Sequence, residues 1–318
     1  MKSISSPIDA TDQSPSARAA GRESVLAWAW RASASVDSSV KLRTKFVLAA
    51  LRNPALAKRL QDVDLNSPMG RLLSEWPDTL VYLVSPYQCA AWDAPTRFAR
   101  IDAHQNAVEA IAGLRLSPDD KLALADLSAI SPDTRVILDR AKWLSREGHL
   151  TLSLFKGQFR AFTLSFSLSD HPQTEIFVGG IQGRQSVDVL ALYRDLTKEF
   201  HGIRPRDFML EALRLFACKI GARHIFAVAD EHKISRHRYF KGTGAPGLYY
   251  DEIWEERGGA RLADTHFELP LGGSRRDLED VSPKKRSMYR RRYQMLDEIA
   301  DLIPADLALA ERMQFDAS

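Results

Sequence analysis

The sequence is short of cysteine and has no long hydrophobic run, and each shortage excludes a class of protein. Two cysteines in 318 residues, Cys89 and Cys218, cannot build a disulfide framework, and nothing around them has zinc-ligand spacing. No apolar stretch approaches the roughly 18–20 residues that a membrane-spanning helix needs. The opening segment, MKSISSPIDATDQSPSARAAG, is polar where a secretory signal is basic and then apolar. A reduced, cytoplasmic setting is the expectation. Charge of one sign is not in excess either. The formal net charge of +3 is too mild by itself to imply a nucleic-acid partner, so the placement of the basic residues matters more than their sum.

What is present is an ordinary globular composition, 45% hydrophobic and 27% charged, in a chain long enough for one large domain or two ordinary ones. Residues 1–20 are rich in Ser, Ala, Asp and Pro and are expected to be a disordered tail. From Glu23 to about Arg146 the chain reads helical, with Asp102–Leu114 and Pro118–Leu127 among the candidate helices. The second of these opens on Ser-Pro-Asp-Asp, a helix-capping signal. Asp78–Tyr87 fits a buried strand or a helix end. Near Gly148 the pattern changes. HLTLSL, FRAFTLSFSL and EIFVGGI predict an antiparallel meander over His149–Leu154, Phe159–Leu168 and Glu175–Ile181. Val187–Phe200 and Pro205–Ile220 read as helices, His224–Ala229 as a strand buried on both faces, and Tyr249–Glu256 as a short helix. Arg261–Leu269 alternates as one strand, and Lys285–Ile303 is a final helix.

This order is α+β, with one βαβ crossover through the Pro205 helix. A helical N-terminal region, 21–145, precedes a mixed β-sheet flanked by helices, 146–303, and a C-terminal tail, 304–318. At such a crossover the strand end and helix N-terminus converge, and backbone N–H groups face a ligand.

From about Glu147 to Leu296 the chain resembles the VirK/YbjX family. The matching stretches are EGHLTLSL, IFVGGIQG, LTKEFHGIRP, the AVAD strand, YDEIWEERGG and SPKKRSMYRRRY. The resemblance implies a bacterial protein contributing to virulence, cell-envelope integrity and antimicrobial-peptide resistance, with no settled reaction. More loosely, the element order resembles the GCN5-related N-acetyltransferase fold. There two central strands splay to admit an acyl-donor arm, and a helix N-terminus receives its pyrophosphate. The chain departs from that fold in lacking its Gly-rich loop before Pro205 and in adding the Val187–Phe200 helix.

Candidate residues follow. Arg204, at the entry to the Pro205 helix, sets a forked cation where free N–H groups already face out, which suits a phosphate or carboxylate; a plain surface arginine is the alternative. Gly179, Gly180 and Gly183, with Gln182, end the third meander strand and permit a bulge or a close ligand approach. On a 100° wheel of the last helix, Met288, Met295, Ile299 and Leu302 mark the buried stripe. Arg290 and Arg291 then face out, while Arg292 and, one heptad earlier, Lys285 face in and need either a core carboxylate or an anionic ligand. Asp230 ends the buried strand, where α/β ligands tend to sit. His232 and His237, five residues apart and without a second firm pair, match known metal sites poorly. By analogy with acetyltransferases, Tyr250 would protonate a leaving thiolate, packing against the sheet being the plain reading. His201 and His149 are possible bases.

The expectation is transfer of an acyl or aminoacyl group from a large anionic donor (acyl-CoA, acyl-carrier protein or aminoacyl-tRNA) to an amine or hydroxyl of a small molecule or peptide. Tyr250, His201 and Asp230 would serve the chemistry, and Gln182, Gly183, Arg204, Lys285 and Arg292 would hold the donor. A non-catalytic envelope-stress factor or chaperone that binds peptides or lipid headgroups, and an RNA-binding protein, are the rivals.

Overall fold

Helices lead because capping residues recur ahead of short amphipathic runs. The computed structural model describes residues 23–313 apart from 37–38, 171, 185–186, 241–248 and 274, so the expected tail at 1–20 lies outside the described residues. Helices α1 (Val25–Ser33), α2 (Val40–Arg52), α3 (Pro54–Gln61), α4 (Pro68–Glu75) and α5 (Ala94–Ala110) come first. Ser24, Ser39, Ser67 and Asp93 accept first-turn amides and so stop four of them from fraying. The apolar run after α4 is a 3₁₀ helix, Pro77–Leu83, with Thr79 to Leu83 buried. These helices close over a core of their own that includes Trp28, Phe46, Leu72 and Phe98.

The chain then lays down β1 (Lys121–Asp126), β2 (Thr134–Asp139), β3 (Leu150–Lys156), β4 (Phe159–Ser169) and β5 (Glu175–Gly183). Helices α6 (Val187–Glu199) and α7 (Pro205–Lys219) cross to β6 (His224–Val228). After α8 (Tyr250–Glu256) come β7 (Ala260–Ala263), β8 (His266–Leu269), α9 (Pro283–Leu302) and β9 (Glu311–Met313). The strands form one sheet in the order β7-β8-β6-β5-β4-β3-β2-β1-β9. Among the described residues only the β5–β6 pair is parallel; the other pairings are antiparallel. The α+β class, the meander and the crossover through α7 to a neighbouring parallel strand are as expected.

Four local readings are corrected. Pro118–Leu127 is not a helix: Asp120 bonds back to Ser117, closing a turn that launches β1. The helical reading up to Arg146 therefore fails over β1 and β2. Arg261–Leu269 is a hairpin of two short strands rather than one strand. The 304–318 tail is ordered over its described part, with Leu307 buried and Glu311–Met313 paired to Lys121–Ala123.

Alternation gives the sheet two unlike faces. Phe162, Leu164, Phe166 and Leu168 of β4 join the main core beneath α7, where Phe166 meets Phe216 edge-on at 5.8 Å. Burying side chains of this size contributes about 1.5–3 kcal/mol each. The other face is a buried hydroxyl stripe of Thr151, Ser153, Thr163, Ser165 and Ser167. There Ser167 donates to Gln88, whose amide in turn donates to the Phe177 carbonyl. A second polar tie joins α5 to the sheet. His104 Nδ1 accepts the Leu168 amide at 3.1 Å, and His149, stacked on it with ring centroids 5.5 Å apart, lies 2.7 Å from the Tyr87 hydroxyl. Burial depresses both imidazoles, His104 to about 3, which keeps them neutral.

Candidate functional site: the break between two parallel strands

Strand β5 pairs with β6 from Glu175 to Val178 and no further, although β5 runs on to Gly183. The register with β4 slips at the same place. Ser165 faces Gly180 and Phe166 faces Val178, which leaves Gly179 as the bulged residue. The glycine pair is required there because another part of the chain crosses it. A Cβ on Gly179 would strike the Glu147 carbonyl, and one on Gly180 the Glu147 carboxyl. Glu147 thus lies across β5 on the hydroxyl face, its Oε2 accepting from Gln182 Nε2 at 2.9 Å.

Burial raises the Glu147 carboxyl to about 7, against the Gln182 bond and the charge of Lys233, which lower it. A carboxyl poised there exchanges a proton at neutral pH. Ser165, opposite Gly180, is buried with its hydroxyl unpartnered among the described residues. Gln182 and Gly183 also line a hollow of about 270 Å³ with Trp143, Arg160, Thr163 and Arg184.

The open edge of β5 is met by Tyr250. Its hydroxyl accepts the Ile181 amide at 3.1 Å and lies 3.3 Å from the Ile181 carbonyl. Burial pushes this phenol far up, and Glu147 pushes it the same way. The packing reading of Tyr250 therefore holds as geometry: it fills the gap that β6 leaves. Asp230 fixes Tyr250 by accepting its amide at 3.1 Å, and pairs with Lys233 at 2.8 Å and with Arg236. Burial works to raise the Asp230 carboxyl, but the Lys233 and Tyr250 bonds and the two cations hold it below the usual range. It acts as an anchor for the start of α8.

On the opposite face, a Cβ on Gly183 would meet Phe162 and the Tyr193 hydroxyl. These two side chains begin an open, apolar-floored groove of about 590 Å³ that runs to the start of α7. Leu190, Tyr193 and Thr197 of α6 line it, and Arg194, Lys198, Arg204 and Arg206 rim it. Arg204 is the N-cap of α7 and makes no side-chain cap bond. It is exposed at a helix end whose dipole disfavours cations. Two of the rim cations are paired, Lys198 with Asp195 and Arg206 with Asp207 and Glu256.

A family model described as "Protein of unknown function (DUF535)" matches residues 36–305. The chain belongs to this family. It is similar to an uncharacterised protein of Escherichia coli (strain K12), YbjX, with 35% identity over 138 residues, 43% of this chain and 42% of the relative. An uncharacterised protein of Haemophilus influenzae is 30% identical over 176 residues, 55% of this chain and 58% of the relative. The matched stretches span about half the length of these curated relatives. No solved structure matches the chain.

In this family member, the residues singled out from the sequence fall into separate places. Gln182, Gly183, Tyr250 and Asp230 gather around the β5 break. Arg204 stands at the far end of the groove. Arg292 belongs to neither place: it lines a cleft between α7 and α9 and donates from Nε and Nη2 to the His201 carbonyl at 3.1 and 2.9 Å. The wheel's inward face for Arg292 is right, but its partner is a backbone carbonyl rather than a carboxylate, because the left-handed His201-Gly202 turn (φ 49° and 82°) points that oxygen at α9. Lys285 is exposed in the first turn of α9 instead of facing in, and Leu302 is 47% exposed; Met295, Ile299 and Ile303 carry the stripe. His201 sits in that α6–α7 turn with its imidazole depressed by burial and by Arg291 and Arg292. Glu147 was not singled out. The Gly179-Gly180 pair was the one available signal, since glycines inside a strand announce a close approach without saying of what. Among the described residues, no helix is long and apolar enough to cross a membrane.

Proposed function

We propose that the chain transfers an acyl or aminoacyl group from an anionic donor to an amine or hydroxyl at the break between β5 and β6. The observation that carries this reading is the end of the β5–β6 pairing at Val178 and Ala227, where β6 stops and β5 runs on to Gly183, with the Glu147 carboxyl lying against the bulge. The donor arm lies in the groove on the α6–α7 face, its anionic end against Arg204, Arg194 and Lys198. The acceptor comes from the hydroxyl face through the hollow beside Gln182. They meet beside the Glu147 carboxyl at the Gly180–Gln182 end of β5, next to the edge that Tyr250 closes by holding the Ile181 amide and carbonyl.

Glu147, ionised, takes the proton of the acceptor amine or hydroxyl as its lone pair attacks the donor carbonyl. The bond to the donor's leaving atom breaks, and the proton passes from Glu147 to that atom, so charge and protons balance. Asp230 and Tyr250 serve as positioning residues in this scheme. The choice of acyl transfer rests on the fold-level analogy, which the strand order β2-β3-β4-β5-β6-β8-β7 supports.

The test incubates the purified full chain with acyl-CoA, acyl-carrier protein or aminoacyl-tRNA and a panel of amines, and follows acyl transfer by mass spectrometry. Transfer from one donor class is expected, with Glu147→Gln slower by about 100-fold or more, as for loss of a general base. Wild-type rate should rise with pH through about 7 as Glu147 ionises. Failure of every donor to bind or react rejects the reading, and full activity of Glu147→Gln rejects its base.

A further inference from the structure

Helices α7, α8 and α9, with the residues that follow β8, wall a cleft of about 520 Å³ on the far side of the α6–α7 turn from the Arg204 groove. That is the size of a small-molecule site. Five guanidiniums reach its lining, from Arg214, Arg257, Arg275, Arg276 and Arg292, against the carboxylates of Glu211, Glu255 and Glu256. The pairing leaves cation over. Glu211 is shared by two arginines, Arg214 at 2.8 Å and Arg257. Glu256 is taken by Arg206 from outside the lining, and Arg275 by Asp297. Arg292 bonds a carbonyl only, and the Arg276 guanidinium has no partner among the described residues.

Glu255 offsets this surplus in part. The Nε of Arg257, enclosed at the back wall, also lacks an acceptor, and an unmet buried donor is a place where an oxygen is missing. A fold has no reason to gather guanidiniums it does not pair, because they repel one another and are costly to enclose. Planar forks of this kind match phosphate oxygens two at a time. The wall is also shaped to hold them. The Tyr293 hydroxyl accepts the Arg276 amide at 2.9 Å, and the Arg292 guanidinium lies 4.4 Å over the Tyr289 ring.

We propose that this cleft binds a phosphate-bearing small molecule of nucleotide size, with its phosphates on Arg276 and Arg292. The assignment does not rest on the acyl-transfer reading, whose donor groove is a separate surface.

The test is calorimetric titration of the full chain with inorganic pyrophosphate, ATP and adenosine. Pyrophosphate and ATP should bind and adenosine should not; tighter binding of ATP than of pyrophosphate identifies a nucleotide, and equal binding a free phosphate. Arg276→Ala, at an exposed and unpaired side chain, should weaken both anions about 10- to 100-fold, and Arg276→Lys should recover part of that loss. Arg204→Ala should keep the Arg276-dependent binding. No binding of either anion, binding that Arg276→Ala leaves intact while its melting temperature matches wild type, or adenosine binding as tightly as ATP would each overturn the proposal.

Discussion

A single carboxyl shows how the β5 break is poised. Glu147 is near 7 in the folded chain against 4.5 for the free side chain, so its ionisation opposes folding. The raised value means that its contribution is fully present below about pH 4.5 and is lost as pH rises through about 7. Glu147→Gln removes that dependence. The variant should therefore gain about 2 kcal/mol on wild type between pH 5 and pH 7, each pKa unit being worth about 1.4 kcal/mol. Urea denaturation at the two pH values checks it, and parallel curves would place the carboxyl in water. The arginines of α9 make a second comparison. Arg290→Ala and Arg291→Ala remove exposed side chains and should cost less than about 0.5 kcal/mol each. Arg292→Ala leaves the His201 carbonyl without its two donors and should cost about 1–2 kcal/mol, less than a stranded carboxylate would. Thermal melts of the three variants rank them; equal melting temperatures would mean that Arg292 braces nothing.

At the scale of elements, legibility followed how local the deciding interaction was. The β3–β4–β5 meander, α7 and β6 could be read because period-two alternation, a proline at the first turn and a glycine stop are written within each segment. Ser117-Pro118-Asp119-Asp120 misled because the same side chains that cap a helix also close a turn. What settled the matter was the pairing of Lys121–Asp126 with β2 and β9, and β9 lies nearly two hundred residues away. The Arg261–Leu269 alternation holds only in β8, where Phe267 and Leu269 are buried; β7 is exposed throughout, and the pattern is silent about the Asp264-Thr265 turn between them. The candidate site was half legible. Gln182, Gly183, Asp230 and Tyr250 lie near one another because they end adjacent elements. Glu147 arrives by crossing over β4 at Gly148, whose missing side chain lets it pass the Phe166 backbone. Nothing in a one-dimensional pattern records such a crossing. Arg204 caps α7 and Arg292 of α9 bonds the His201 carbonyl just ahead of it, yet the two line different surfaces, a separation that neither helix pattern records.

Across the whole molecule, the helical region and the sheet meet through the neutral His104–His149 pair. Both imidazoles are depressed, so their contribution is complete above about pH 6.5 and is lost as pH falls, for His104 through about 3. This opposes the Glu147 dependence in the same range, so the wild-type slope mixes the two, and variants must be compared with it. His104→Gln keeps an acceptor for the Leu168 amide without a titrating ring. It should gain about 2 kcal/mol on wild type between pH 7 and pH 5, read by the same urea midpoints. A constant difference would show that the ring is hydrated. The edge strand has a different consequence, one of timing. Lys121–Ala123 finds its second neighbour only in Glu311–Met313. While a ribosome adds some 5–20 residues each second, β1 waits on the order of ten seconds or more with that flank bare. An unpaired strand edge is a template for other chains, so this interval is when a nascent copy is most open to chaperones and to pairing with its neighbours on the same message.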